Sequence, residues 1–109
     1  MTLTIDKRMD GNVTVLSPRG FINSHNAVKL LAAIHKLDYN QADLTLDFSD
    51  LEYITSAGLR VLLMARKKFG PDRIRIIHMN DMVKDVFEIS GFSDVIPVIE
   101  DEEWQQPDI

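Results

Sequence analysis

The side chains that could carry chemistry in this chain are few, and most of them are badly spaced for it. His25, His35 and His78 do not have the spacing of zinc ligands, and the chain has no cysteine. Asp47 and Asp50 suit turn and strand-end roles better than acid–base catalysis. Neither a dinucleotide-binding nor a P-loop glycine motif is present. We therefore predict that the protein is not an enzyme, with no catalytic residues, no metal site and no cofactor.

Ser56 is the remaining candidate for a functional residue, because it follows a predicted strand and loop and lies at the N-terminus of a predicted helix. A serine there can be a helix N-cap, whose hydroxyl satisfies a free backbone N–H of the first turn. It can also be a modification site, because a phosphate adds about −1.5 to −2 charge and a helix N-terminus tolerates negative charge. The two roles are compatible, and the spacing alone leaves both open.

Length, composition and charge restrict the class of protein further. The chain has 109 residues, of which 45% are hydrophobic and 27% charged, as expected for one globular domain. Its net charge of −5 disfavours binding to nucleic acid or to an anionic membrane, and suits a partner with a basic patch. We find no secretory signal and no apolar run of membrane-spanning length, and therefore expect a cytoplasmic protein that does not insert into membranes.

Hydrophobic periodicity predicts strands that alternate with helices. A turn at Asp10-Gly11 joins two alternating segments and predicts a hairpin. Pro18 is predicted to end the second strand or to carry it along an edge of the sheet. In order, the predicted elements are strands at 3–7 and 13–16, a helix capped by Ser24 and running to about Leu37, a strand over 43–48, a turn over 49–52, a helix from the Ser56 cap to Phe69, a strand over 74–77, a helix from Asn80 or Asp81 to Gly91, and a strand over 95–99 with its proline at an edge or bulge.

The order β-β-α-β-α-β-α-β predicts an α/β fold with a mixed, mostly parallel sheet and helices mainly on one face. We expect a single domain over residues 1–109. The acidic residues 100–109 are predicted either to form a short helix or to fray. Met79, Met82 and Phe92 are predicted either to form an exposed patch or to pack inside.

Several motifs in this order resemble those of the STAS domain family, found in bacterial anti-sigma factor antagonists. Residues 53–59 (Tyr-Ile-Thr-Ser-Ala-Gly-Leu) resemble the family's apolar-Asp-Ser-Ser-Gly-Leu signature. Residues 20–23 resemble its Gly-x-Leu-Asp turn, and residues 44–51 its central strand. Residues 82–92 resemble its later helix, which ends in a Ser-Gly-aromatic corner. The resemblance covers residues 3–99 and implies a STAS-like fold.

The resemblance implies a switch in transcription regulation rather than an enzyme. Domains of this kind bind an anti-sigma factor, often a serine kinase of the histidine-kinase-like ATPase fold, and so free a sigma factor. The kinase phosphorylates a serine that matches Ser56, which releases the antagonist, and a serine phosphatase resets it. Carried over residue by residue, the partner-binding set is Asn23, Thr55, Ser56, Ala57, Gly58 and Arg60.

This chain departs from the family pattern at two acidic positions. Thr55 and Asn23 each stand where the family has aspartate, so two negative charges are lost near the implied contact surface. Thr55 also makes an alternative phosphorylation site, whereas Ala57 removes a second serine. Alternative functions are an accessory subunit of a lipid-transport ABC system, a stress-signalling scaffold without a phospho-switch, and a small enzyme of unrelated α/β type.

Overall fold

The sheet begins with the hairpin that the Asp10-Gly11 turn predicts. The structure, a computed structural model, describes residues 3–96 and 98–99. β1 (Thr4–Asp10) and β2 (Val13–Ile22) are antiparallel and are joined by a two-residue turn. Gly11 in that turn has a φ of 61°, which glycine adopts without the strain that a Cβ would cause.

Three helices and four further strands complete the described part of the chain. They are α1 (Ala27–His35), β3 (Asp43–Asp47), β4 (Leu51–Ile54), α2 (Ser56–Phe69), β5 (Ile74–Ile77), α3 (Asp81–Ser90), a 3₁₀ turn (Phe92–Asp94) and β6 (Val98–Ile99). β2 pairs in parallel with both β3 and β4, β3 pairs with β5, and β5 pairs with β6. The sheet order is β1-β2-β3-β5-β6, with β4 beside β2, so the predicted mixed and mostly parallel sheet is confirmed.

The short strand β4 is the element that the sequence did not predict. Residues 49–52 are predicted as one turn, but the turn is confined to Ser49 and Asp50, and Leu51 already begins a strand. β4 forms because β2 extends beyond the end of β3 and offers it a partner. In that extension, Gly20 pairs with Leu51 and Ile22 with Ile54.

The prediction that Pro18 ends β2 or lies along a sheet edge is wrong. β2 continues to Ile22 and lies inside the sheet, between β1 and the pair β3 and β4. Pairing with β3 ends at Leu16, and pairing with β4 starts at Gly20. Pro18 therefore falls between the two parallel ladders, where its missing N–H interrupts neither of them.

The last predicted strand is much shorter than its apolar composition suggests. Val95 and Ile96 precede β6 and are not strand, and Ile96 instead packs into the core. Among the residues that the structure describes, the two-residue β6 lies at the edge of the sheet next to β5. Pro97 and the acidic segment 100–109 lie outside the described residues, so the prediction of a short helix or frayed tail stays a prediction.

Helix boundaries follow local hydrogen bonding. α3 has the predicted ends, with Asn80 as its N-cap accepting from Val83 N at 2.8 Å and Gly91 in the left-handed conformation. α1 differs, because its N-cap is Asn26 rather than Ser24 and it ends at His35, two residues before the predicted Leu37.

One apolar core lies between the sheet and the helices. All three helices contribute buried residues to a single cluster, so the prediction of helices mainly on one face is confirmed. β3 and β5 each contribute alternate residues to the same cluster, as the period of a β-strand requires, whereas the two members from β4 are three residues apart. Its strand members are Leu16 and Ile22 of β2, Leu44 and Leu46 of β3, Leu51 and Ile54 of β4, and Ile74 and Ile76 of β5.

Candidate functional site

Two parallel strands end side by side, and the residues that follow them form the candidate site. Ile22 ends β2 and is paired with Ile54, which ends β4. A backbone hydrogen bond from Thr55 N to Ile22 O, at 3.0 Å, holds together the segments that follow the two strands. The sheet therefore brings Asn23 next to Thr55, although thirty-odd residues separate them in sequence.

The Asn23 side chain is engaged in its own turn. Asn23 Oδ1 accepts from His25 N at 2.9 Å and from Asn26 N at 3.1 Å. Asn26 reciprocates, because its Oδ1 accepts from Asn23 N at 2.8 Å and its Nδ2 donates to Phe21 O at 2.9 Å. These bonds explain why the helix begins after Asn26 and not at Ser24, and they leave the half-buried Asn23 in a fixed position.

Thr55, rather than Ser56, is the N-cap of α2. Thr55 has an extended backbone conformation and its side chain forms no capping hydrogen bond, whereas Ser56 is the first helical residue. The prediction of Ser56 as N-cap is therefore wrong by one position. The shift follows from the bond between Thr55 N and Ile22 O, which keeps Thr55 in the extended geometry of β4.

The side chains of Thr55 and Ser56 differ in burial. Ser56 is exposed, whereas Thr55 is half-buried. The first turn of α2 contains no acidic residue, so nothing there opposes a new negative charge near the positive end of the helix dipole. Ser56 is therefore the better placed of the two for modification.

Gly58 does not belong to the exposed surface on which the resemblance places it. It is buried, and a Cβ built on it would lie 2.6 Å from Ile54 Cγ1 and 2.8 Å from Ile22 Cγ2. Its role is to let α2 approach the ends of β2 and β4 closely. Gly58 therefore has a packing role, and its predicted contact with a partner stays a prediction.

The other residues of the predicted partner-binding set differ in how much of each side chain is exposed. Arg60 is exposed one turn after Ser56, on the same face of α2, because side chains four residues apart are neighbours. Ala57 is half-buried and packs against the core. Met64 continues the Ser56 and Arg60 face with 51% of its surface exposed. Sequence reasoning missed Met64, although its spacing of four from Arg60 was the available signal.

Asp47, His78 and Ser49 form a separate polar cluster with a structural role. Asp47 Oδ1 lies 3.0 Å from His78 Nδ1 and accepts from Ser49 N at 3.0 Å and Ser49 Oγ at 2.5 Å. Burial raises the pKa of Asp47, but hydrogen bonds from Ser49 and His78 outweigh burial and hold that pKa below its usual value. The cluster closes the turn between β3 and β4.

The described residues contain neither a cluster of metal ligands nor a membrane-spanning helix. Within 3–96 and 98–99, no group of three or more histidine, aspartate or glutamate side chains could hold a metal ion. In the same part of the chain, no helix is long and apolar enough to cross a membrane.

Two comparisons of the sequence bear on the family of this chain. A family model described as the STAS domain matches residues 4–103. BtrV of Bordetella bronchiseptica, a candidate anti-sigma factor antagonist, is 38% identical over 101 residues, which cover 90% of this chain and 85% of BtrV.

Solved structures share the fold at lower sequence identity. An anti-sigma factor antagonist from Mycobacterium paratuberculosis superposes with a TM-score of 0.80 and is 22% identical, over 89% of this chain and 85% of that one. The anti-sigma factor antagonist SpoIIAA in its unphosphorylated form gives a TM-score of 0.74 at 18% identity, over 92% of this chain and 91% of that one.

Proposed function

The chain belongs to the STAS domain family, and we propose that it is an anti-sigma factor antagonist controlled by phosphorylation of Ser56. In its unphosphorylated form it binds a cytoplasmic anti-sigma factor that is also a serine kinase, and so frees a sigma factor for transcription. Phosphorylation releases it, and a serine phosphatase restores it. The relative BtrV supports the antagonist role, because the two chains match along nearly their whole lengths.

The observation that carries the proposal is the exposure of Ser56 at the first residue of α2, beside the Asn23 turn. A kinase can reach this hydroxyl without unfolding any part of the sheet. Thr55 is half-buried and held by its backbone bond to Ile22, which favours Ser56 as the acceptor.

The fold tolerates a phosphate on Ser56, but a closely packed partner does not. In the free protein the dianion lies at a helix N-terminus and one turn from the exposed Arg60 guanidinium. In a complex that covers Ser56, the same dianion has to be buried. An uncompensated buried charge costs several kcal/mol, and about 1.4 kcal/mol is a factor of ten in affinity. One phosphate is therefore enough to change a tight complex into a weak one.

The absence of aspartates at positions 23 and 55 changes the charge of the contact surface but not the hydrogen bonding of the turn at Asn23. Asparagine accepts the same two backbone N–H bonds that an aspartate would accept, so the turn geometry is preserved at Asn23. The loss of charge makes the contact surface less acidic. We expect a partner whose facing surface carries correspondingly fewer lysines and arginines.

The test is affinity capture from the host cell with wild type, Ser56→Ala and Ser56→Asp as baits, followed by mass spectrometry of captured proteins and of bait phosphorylation. We expect an ATPase-type serine kinase with wild type and Ser56→Ala, and its loss with Ser56→Asp. The phosphate is expected on Ser56 of the wild-type bait and not on Thr55.

Ser93→Asp is the matched control, because Ser93 is an exposed serine on a different element, the 3₁₀ turn. It adds the same charge to the molecule and should leave capture unchanged. Equal capture of an ABC transporter ATPase by all the baits would contradict the proposal and would indicate a transport accessory. Equal capture of the kinase by Ser56→Asp and wild type would refute the switch alone.

A further inference from the structure

The outer edge of β1 carries no further strand from the described part of the chain. Among the residues that the structure describes, β1 pairs only with β2, and six of its seven residues are exposed. The residues flanking a two-residue hairpin turn form a hydrogen-bonded pair, here Asp10 with Val13. Bonding alternates along an antiparallel pair, so the backbone N–H and C=O groups of Ile5, Lys7 and Met9 point away from β2.

The sequence of β1 places opposite charges and apolar side chains symmetrically about Lys7, so two copies of the strand can pair with each other. In an antiparallel pairing of two copies centred on Lys7, Asp6 of each copy lies opposite Arg8 of the other. Ile5 of each copy likewise lies opposite Met9 of the other. The outward backbone groups of Ile5, Lys7 and Met9 then bond across the contact, and the Asp6–Arg8 pairs fall at the closer, non-hydrogen-bonded positions.

We propose that the protein self-associates through β1, with two copies pairing antiparallel about Lys7 to form one continuous sheet. The neighbouring registers are worse on charge. A shift that centres the contact on Asp6 brings two aspartates face to face, and a shift that centres it on Arg8 brings two arginines together. Side chains directly opposite each other must share a face of the sheet, so these are the nearest alternatives.

Burial supports the same register. Met9 has 56% of its surface exposed on the helix-bearing face, and Ile5 on that face is only partly covered by the core. Pairing about Lys7 places Ile5 of one copy on Met9 of the other, which covers both. Asp6 is available for the contact, because its ion pair with Arg19 is 3.4 Å long and both side chains are more than 60% exposed.

Lys7 keeps the association weak. The two-fold axis brings the ammonium groups of Lys7 and its symmetry mate together, and lysine on an edge strand is a common device against uncontrolled pairing. The contact is also small, because each copy contributes a single seven-residue strand. The expected product is a reversible dimer that depends on concentration, not an obligate one.

The test is sedimentation equilibrium of the full chain at concentrations up to about 1 mM, the weak end of specific association. Wild type is expected to dimerise reversibly. Arg8→Asp turns both cross-strand pairs into aspartate pairs and should weaken the dimer by about tenfold or more. The double exchange Asp6→Arg with Arg8→Asp recreates both pairs with reversed polarity and should restore the dissociation constant to within about threefold of wild type.

Lys7→Thr is the opposite control, because it removes the single like-charge contact and should tighten the dimer by about twofold to fivefold. Thermal unfolding of each variant at low concentration establishes that the monomer is folded. A wild type that stays monomeric at every concentration overturns the proposal. A dimer that Arg8→Asp leaves unchanged, or that the double exchange does not restore, overturns it as well.

Discussion

Gly58 sets the distance between the modification site and the sheet beneath it. We expect Gly58→Ala to destabilise the protein by about 1–2 kcal/mol. Overpacking costs about 1–3 kcal/mol, and the upper half of that range applies because the new Cβ has three side-chain carbons within 3 Å. Alanine regains about 1 kcal/mol of helix propensity. The new Cβ would lie within 3 Å of Ile54 and Ile22 side-chain carbons. Urea unfolding measures the change, and Ile54→Val, which removes one of the clashing carbons, should recover part of it. An unchanged or higher stability for Gly58→Ala would contradict the packing role.

Asp47 gives the fold a pH dependence in the acid range. Its pKa in the folded protein lies below the ordinary value of 3.8, so its hydrogen bonds stabilise the fold fully above that value. That stabilisation is lost as the pH falls through the folded pKa, because protonation removes the carboxylate that Ser49 and His78 contact. Asp47→Asn should therefore lower the free energy of unfolding at pH 7 by more than it does near pH 3.

Urea unfolding at the two pH values measures this difference. Asp50→Asn is the matched control, because the Asp50 carboxylate is 58% exposed and its contact with Arg19 is 3.8 Å long. That variant should differ little from wild type at either pH. A stability loss for Asp47→Asn that is the same at pH 3 and pH 7 would show that the carboxylate charge is not responsible.

At the scale of elements, Asn80 joins α3 to β4. Its Oδ1 caps α3 at Val83 N, and its Nδ2 donates to Leu51 O at 3.0 Å and to Glu52 O at 3.3 Å. Asn80→Ala removes both functions and should lower the free energy of unfolding by about 2 kcal/mol, about half of which comes from the loss of the N-cap. Asn80→Asp keeps the acceptor for Val83 but loses the donor to β4.

Chemical unfolding of the two variants therefore distinguishes the stability that comes from the N-cap of α3 from the stability that comes from the hydrogen bonds to β4. The aspartate variant should fall between wild type and the alanine variant, and the remaining loss reports the bonds to β4. If Asn80→Asp is as stable as wild type, the tie to β4 contributes nothing. If it is as unstable as Asn80→Ala, the cap contributes nothing.

The predictability of each element followed from where its stabilising interactions lie. The ends of α3 could be predicted, because Asn80 and Gly91 act through neighbouring backbone groups. β4 could not, because Leu51-Glu52-Tyr53-Ile54 is too short to show a period and forms only where β2 offers a partner. A long-range contact also moved the cap of α2, because both Thr55 and Ser56 are residue types that can cap a helix and the bond from Thr55 N to Ile22 O decides between them.

The roles of the candidate site residues stay a prediction, whereas their placement is now known. Motif resemblance named Asn23, Thr55 and Ser56, and the structure brings the loops that carry them together. It could not tell that Gly58 faces Ile54 and Ile22, because which side of a helix faces the sheet depends on tertiary packing.

At the scale of the whole molecule, one core cluster connects every helix with strands β2 to β5, so the described part of the chain should unfold as one unit. Leu46, in the middle of β3, is fully buried. Leu46→Ala should lower the free energy of unfolding by about 2–5 kcal/mol and should lower hydrogen-exchange protection equally at Leu30 in α1 and Phe87 in α3.

Ile89→Ala is the control for this experiment, because Ile89 lies on α3 but has 88% of its surface exposed. It should leave protection in both helices unchanged. A loss of protection in Leu46→Ala that is confined to one helix would mean that the helices unfold independently, although they share one core.

The hydrogen bond between Thr55 N and Ile22 O, together with the reciprocal bonds of Asn23 and Asn26, has a kinetic consequence for the proposed complex. The loops that meet the partner are already ordered by the free protein, so docking needs little rearrangement of its backbone. Encounter then proceeds at a similar rate whether or not Ser56 carries a phosphate, apart from long-range electrostatics. The switch accordingly operates on the lifetime of the complex, since changes within one interface are expressed mainly in its dissociation rate.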